Sequence, residues 1–341
     1  MKDLLVDVDG LLPNLALAKL SAWHKQQGDE TFLLRLTRHW HKRFGKPFDM
    51  RLHTPLMKPD KCYISCIFSK NKSTALSLKV MMESLGVPVE AGGVGIDLIK
   101  CLPHEIEHIM PDYELYPSID YSMGYTSRGC DRNCPWCIVW QKEGAVKDWA
   151  SLSEFLHPKH EKIILMDNNL LEAPNWETVL TEQISRRLMV CFTQGLDIRL
   201  INDDNAKLLS LCKYYNANWT QRRLYFSFDS LENEEAVLKG IKVLGKHSVS
   251  PNRLLFYVLA GYGVTPQEYT WEYFMKNDYH RFEVLRKLKA LPYIMTYNNR
   301  RDIPLLKAFS RWVNLHWYNS FTFEQYLKHH GVASLSSYPS A

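Results

Sequence analysis

Three of the chain's eight cysteines fall within eight residues, in Gly129-Cys130-Asp131-Arg132-Asn133-Cys134-Pro135-Trp136-Cys137, with three and then two residues between them. Thiolates this close in one loop can converge on a single cube of iron and sulfide, for which thiolate is the preferred protein ligand. Four cysteines would saturate its four irons. Three leave one iron open, and an open coordination position is where a small molecule can bind and react. Gly124 and Gly129 keep the approach to the loop flexible, and Pro135 fixes one backbone angle within it. The competing occupant is a lone zinc ion, which wants a fourth Cys or His at similarly short spacing. His157 and His160 come about 20 residues later, beyond the usual finger spacing.

The elements that must carry this loop read as alternating strands and helices. Leu4–Asp9 is an apolar strand ending in acidic turn residues, and 15–27 is a helix stopped by Gly28-Asp29. Tyr63–Phe68 is a second strand, and 73–85 a helix closed by Gly86. This alternation predicts a small parallel α/β sheet in the first hundred residues. Residues 103–118, with Pro103, Pro111 and Pro117, read as a linker. Beyond them come strands at 121–126, 162–166, 189–193, 223–228, 253–259 and 293–296, with helical stretches such as 176–188 and 202–214 between. Six strands with five intervening helical segments describe a partial (β/α)6 barrel. No internal repeat supports it, so it rests on element order alone.

The Cys-x3-Cys-x2-Cys run with an aromatic before the third cysteine resembles the signature of the radical S-adenosylmethionine superfamily. The resemblance spans about residues 121–300. It implies a [4Fe–4S] cluster whose open iron chelates the methionine amino and carboxylate groups. It also implies reductive cleavage of S-adenosylmethionine to a 5′-deoxyadenosyl radical that removes a hydrogen from substrate. Residue by residue, it places Asp167 and Asn168, after the second barrel strand, near the methionine ammonium. Arg199, in Thr193-Gln194-Gly195-Leu196-Asp197-Ile198-Arg199, faces the methionine carboxylate, with Asp197 to orient it. Ser227 and Asp229 face the ribose, Gly261 the adenine, and Trp136 packs beside the cluster. Bland readings stand beside each: an Asx turn at 167–169, a surface Asp–Arg pair at 197–199, an ordinary half-buried strand at 225–230, and a plain turn at Gly261-Gly263.

The fold expected is therefore α/β: a Rossmann-like domain over 1–115, the radical-type partial TIM-type barrel over 116–300, and a covering segment over 301–341 that includes His316, Trp317, Tyr318, Phe321, Phe323 and Tyr326. The first domain resembles the cobalamin-binding domain that precedes the barrel in one radical subgroup, and Gly92-Gly93 matches glycines that approach that cofactor's tail. The subgroup's Asp-x-His-x-x-Gly pattern is missing, since His53 is followed by Thr-Pro-Leu and His24 lies in a helix. That weighs against cobalamin. Cys62 and Cys66 share a strand face and read as core thiols, as do the isolated Cys101, Cys191 and Cys212.

Composition narrows the setting. The chain is 341 residues long, 46% hydrophobic and 23% charged, which suits a globular protein with a sizeable core. A net charge of +5 does not by itself point to an acidic partner. Arg35, Arg38, His39, His41, Lys42 and Arg43 form a basic patch that a solvated helix face explains. No stretch approaches the roughly 18 apolar residues of a membrane helix, and eight cysteines behind an amino terminus with no secretory pattern read as reduced thiols or metal ligands of a cytoplasmic protein. The function expected is radical cleavage of S-adenosylmethionine, fed by an electron donor such as flavodoxin or ferredoxin. The substrate is left open among peptide, nucleotide, RNA and small metabolite. Two alternatives stand beside it: a cobalamin-dependent radical methyltransferase, and a zinc-stabilised nucleic-acid-binding module.

Overall fold

The computed structural model describes residues 1–36, 58–117, 119–300 and 302–330. His53 and, within the basic patch, Arg38, His39, His41, Lys42 and Arg43 lie outside them. The chain divides into two compact units: residues 1–124 with 150–162, and residues 125–149 with 163–341.

In the first unit, β1 (Lys2–Asp7), β2 (Glu30–Arg35), β3 (Lys61–Ser65) and β4 (Val89–Gly92) form one parallel sheet in the order β2-β1-β3-β4. Parallel strands need crossover helices, which bury both faces of the sheet. Accordingly β1 is buried on both sides. Leu4, Val6 and Val8 pack with Cys62, Ile64 and helix α2 (Lys72–Ser84), while Leu5 packs with Tyr63 and helix α1 (Leu15–Gln26). Asn14 caps α1 by accepting from the Leu17 amide, and Gly28 leaves the helix at a φ of +83°. Strand β2 was not anticipated, because Thr31-Phe32-Leu33-Leu34 is a short run directly behind the turn that ends α1.

Two expectations are corrected here. Residues 103–117 are not a free linker: a short helix α3 (His104–Glu107) and a 3-10 turn at Tyr113–Leu115 bury Ile106, Tyr113 and Tyr116 in the first unit. Pro103 starts α3, Pro111 precedes the 3-10 turn and Pro117 follows it, and none releases the chain. Cys101 is exposed rather than in the core, whereas Cys62, Cys66, Cys191 and Cys212 are buried as expected. Strand β5 (Ser122–Gly124) ends the first stretch of the unit, and residues 150–162 complete it.

The second unit opens with an antiparallel pair, β6 (Ser127–Arg128) and β7 (Lys147–Asp148), flanking the cysteine loop and a one-turn helix α4 (Val139–Lys142). Then come β8 (Lys162–Leu165), α5 (Trp176–Ser185), β9 (Met189–Phe192), α6 (Asp203–Leu211) and β10 (Lys213–Tyr214), with β9 between β8 and β10. A second parallel sheet has the order β11 (Leu224–Ser227), β12 (Leu254–Ala260), β13 (Leu291–Thr296), with α7 (Glu234–Lys246) between the first two strands. In β12 burial alternates strictly. Phe256 stacks on Phe226 with ring centroids 5.4 Å apart on one face, and Tyr257 stacks on Tyr225 at 6.0 Å on the other. The Leu196 amide donates to the Tyr225 carbonyl at 2.7 Å, tying the segment after β9 to β11.

Helix α8 (Trp271–Phe274), a π turn at Met275–Tyr279, α9 (His280–Lys287), α10 (Pro304–Asn314) and α11 (Phe323–His329) close the unit. Phe274, Phe282, Phe309, Trp312 and Phe323 form its aromatic core, with Trp312 and Phe323 ring centroids 5.1 Å apart. Phe323 and Tyr326 of the expected covering segment are buried, while Trp317 and Phe321 are exposed. Among the described residues no helix is long and apolar enough to cross a membrane.

Candidate iron–sulfur site

The cysteine loop is held from outside at almost every turn. Asp167 is buried just past β8, and its Oδ1 accepts from the backbone amides and hydroxyls of both Thr126 and Ser127, at 2.5 to 3.0 Å. Asn168 Oδ1 accepts from the Gly129 amide at 3.0 Å. Asn169 points its amide nitrogen at Cys130 Sγ, 3.6 Å away, and at Glu172, 3.0 Å away. Glu172 in turn accepts from the Asp131 amide. Three consecutive residues after one strand therefore grip residues 126 to 130 in order. Burial pushes the Asp167 carboxyl up, opposed by the hydroxyls and amides it accepts from.

Within the loop, Cys130 donates its amide to the Gly144 carbonyl, Cys137 its amide to the Cys134 carbonyl at 2.9 Å, and Val139 its amide to Cys137 Sγ at 3.5 Å. Gly129 has a φ of +89°, and a Cβ there would overlap the Ala145 carbonyl, so only glycine fits. Asn133, in the left-handed region at φ +50°, turns the chain between the first two cysteines. The three cysteines are part-buried. Burial raises the Cys130 and Cys134 thiols above their ordinary range; for Cys134 the Arg199 charge works the other way.

Arg199 makes a forked pair with Asp197, at 2.7 and 2.8 Å, and Arg132 from the cysteine loop donates to the same carboxylate at 2.9 Å. Burial alone would lift Asp197, but the two guanidiniums outweigh it and hold the carboxyl below the usual range. Asp229 accepts from the Leu259 amide at 3.0 Å and from Ser227. Burial raises it, against the pull of Leu259, Arg281 and Arg199. The charges of Arg199 and Asp229 both reach Cys134, and that of Arg199 reaches Cys130 as well. Trp136 meets Tyr262 edge-on at 5.0 Å, and Tyr262 meets Tyr297 the same way at 4.9 Å. Aromatic walls from the ends of β12 and β13 thus stand against the cysteine loop.

Gly261 is filled differently. A Cβ there would meet Leu306 at 2.5 Å, and its amide donates to Asp278, so this glycine serves packing and a turn at φ +74°. Four contributors escaped sequence reading: Arg132, Asn169, Glu172 and the Asp278–Arg281 pair. Arg281 donates to the Phe228 and Leu259 carbonyls at 2.8 Å, fastening the ends of β11 and β12 under Asp229, and pairs with Asp278 at 2.5 Å. Asp278 and Arg281 stand three apart where a π turn meets a helix, and that spacing of opposite charges was the available signal.

In the first unit, Gly93 and Gly95 do not open a cradle. A Cβ on Gly93 would collide with the Cys66 carbonyl, and one on Gly95 would meet Phe68 backbone at 2.8 Å. Nearby, Asp9 straps the turn after β3 by accepting from the Ile67 and Phe68 amides and Asn71. Asp7 is held by the Gly10 amide and Arg35. Of the two glycines expected to admit a corrinoid tail, Gly93 is closed by the Cys66 backbone, whereas a Cβ on Gly92 would meet only the Lys100 side chain, at 3.5 Å.

No family model and no curated protein matches the chain. Among solved structures it is similar to the apo form of the cobalamin-dependent S-adenosylmethionine radical enzyme OxsB. The TM-score is 0.51 at 14% identity, over 76% of this chain and 49% of that one. It is also similar to the form of OxsB with aqua-cobalamin bound, with a TM-score of 0.48 at 12% identity, over 75% and 49%. The chain thus spans about half the length of these proteins. At such identity the likeness to the apo form concerns the fold, a mixed α/β architecture with parallel sheets.

Proposed function

We propose that the chain binds a [4Fe–4S] cluster through Cys130, Cys134 and Cys137 and uses it to cleave S-adenosylmethionine reductively, modifying a substrate through the resulting 5′-deoxyadenosyl radical. One observation carries the reading: three thiols on a single loop, clamped by the residues following β8, with the charges of Arg199 and Asp229 reaching Cys134. A bound cluster would supply the electron. The loop offers three thiols and no fourth Cys or His, which favours a cluster with one open iron over a tetrahedral zinc ion.

The roles then divide. Arg199, presented by Asp197, meets the methionine carboxylate, and Ser227 with Asp229 meets the ribose hydroxyls. Asp167 and Asn168 act by holding the loop, since their facing oxygens are already engaged by Thr126, Ser127 and Gly129. Trp136 and Tyr262 exclude water from one side. The alternation of strands and helices from β8 to β13, with the bond from Leu196 to Tyr225 linking the segment after β9 to β11, supports a partial (β/α)6 barrel. A cytoplasmic setting with a flavodoxin- or ferredoxin-type donor accompanies the chemistry. The closed Gly93 of the first unit and the missing Asp-x-His-x-x-Gly pattern favour this reading over corrinoid-dependent methyl transfer.

The test is anaerobic reconstitution with iron and sulfide, reduction with dithionite, and incubation with S-adenosylmethionine. Methionine and 5′-deoxyadenosine are expected from the intact chain and neither from Cys134→Ala. A fully reconstituted chain that yields no 5′-deoxyadenosine overturns the reading.

A further inference from the structure

We propose that Asp3, His24 and Asp29 form a structural site for a divalent cation of the zinc type in the first unit, separate from the cysteine loop. They come from three places in the sequence: the start of β1, the last turn of α1 and the turn before β2. Among the described residues they are the one group of three or more potential ligands whose donor atoms all lie within 4.8 Å of one another. His24 Nδ1 is 2.8 Å from Asp3 Oδ2 and 2.9 Å from Asp29 Oδ2.

That arrangement gives one ring nitrogen two carboxylates. A single N–H can align with only one of them, and here the hydrogen bond goes to Asp29. Asp3 is fully buried, and neither of its oxygens has a hydrogen-bond partner. The cations nearby are engaged elsewhere. Lys61 donates to Glu90 at 2.6 Å, and the Met1 amine lies 2.7 Å from the other oxygen of Asp29. A buried carboxylate without partners is costly. A dication bound to Asp3 Oδ2, Asp29 Oδ2 and Nδ1 would neutralise the two carboxylates.

The donor set suits such an ion: one imidazole nitrogen and carboxylate oxygens are ligands of zinc and its first-row neighbours. The other ring nitrogen has the second partner such sites use, for Nε2 lies 2.8 Å from the Tyr63 hydroxyl of the adjacent strand β3. With Nε2–H donating to that oxygen, Nδ1 keeps its lone pair for the metal. The ligands are closed in by protein, so the ion would be structural, stitching the start of β1 to the end of α1 and the entry to β2.

The experiment uses the full chain carrying Cys130→Ala, Cys134→Ala and Cys137→Ala, stripped with chelator, so that neither an iron cluster nor the loop thiols contribute. Titration with Zn2+ is followed by bound metal after gel filtration and by thermal unfolding. The expected result is one bound zinc per chain and a rise in Tm of several degrees, both lost in Asp3→Asn and in His24→Gln. Substitution with Co2+ should give the absorption of a nitrogen- and oxygen-ligated ion and shift the His24 ring resonances, a readout that stands even if either variant fails to fold. No zinc uptake, or uptake that survives Asp3→Asn, overturns the proposal. So does a Tm raised by Asp3→Asn with no response to metal, which would mean that a shared proton resolves the pair. The cluster reading is unaffected by any of these outcomes.

Discussion

At the scale of single residues, the site depends less on the groups that would touch a cosubstrate than on those that hold its loop. Asp167 offers one oxygen to four donors, all on residues that are themselves buried. Asp167→Ala strands those donors, and each buried unpaired group costs about 1–3 kcal/mol. The expected outcome is a second unit destabilised by about 4 kcal/mol or more in denaturant, with iron content after reconstitution well below that of the parent chain. Full iron loading and unchanged stability would show that the loop is held some other way. The thiols outside the loop make a separate prediction. Burial pushes Cys62, Cys66, Cys191 and Cys212 up to about 12. Because the thiolate is the reactive form, its fraction at pH 8 is about one in ten thousand for such a group. Brief iodoacetamide treatment of the folded chain at pH 8 should therefore modify Cys101, which is exposed, and leave those four intact by peptide mass spectrometry. Modification of the four at the rate of Cys101 would contradict their burial.

At the scale of elements, α7 and α9 set the two charges that face the loop. Gly240 lets α7 approach the turn carrying Arg199, for a Cβ there would meet the Ile198 side chain at 2.7 Å and its carbonyl at 2.9 Å. Gly240→Ala should cost about 1–3 kcal/mol and shift that turn, raising the KM for S-adenosylmethionine more than it lowers kcat. An unchanged KM would separate Arg199 from cosubstrate binding. Arg281→Met removes the fork under Asp229 and leaves Asp278 buried without its counter-charge. Loss of one partner of such a pair costs about 3–5 kcal/mol, readable by chemical denaturation, and a variant as stable as the parent would deny the pair its structural part. These elements also mark what sequence could and could not disclose. The cysteine loop was legible because its chemistry is contiguous, and the strands because apolar runs alternate with helical spacing. Asn169, Glu172 and Arg281 were not. Their partners lie up to 53 residues away, and only the fold decides which polar residue after a strand turns inward. Strand β2 and the packing of residues 103–117 were missed for a related reason: short runs carry little periodicity, and tertiary burial overrides what their prolines suggest.

At the scale of the molecule, the fold pairs a four-stranded parallel sheet with a larger α/β unit, and the first invites a cofactor that its own residues argue against. In an open sheet of order β2-β1-β3-β4, ligands collect at the carboxyl ends of the strands where the order reverses, between β1 and β3. Here, among the described residues, the loops at that point are tied to one another. Asp9 straps the turn after β3, Asp7 holds Gly10 and Arg35, and Gly93 and Gly95 lie against the Cys66 and Phe68 backbone where a cofactor tail would need the room. Among the described residues, a nucleotide-like tail laid against Gly93 or Gly95 would require the Cys66 or Phe68 backbone to move. The chain incubated anaerobically with hydroxocobalamin and passed through gel filtration should emerge without corrinoid absorbance, whether or not its cluster has been reconstituted. In turnover with S-adenosylmethionine, added corrinoid should leave the yield of 5′-deoxyadenosine unchanged and produce no S-adenosylhomocysteine. Retention of one corrinoid per chain would mean that the strap of Asp9 and the turn at Gly93 give way on binding, and the first unit would then have to be counted as part of the catalytic apparatus.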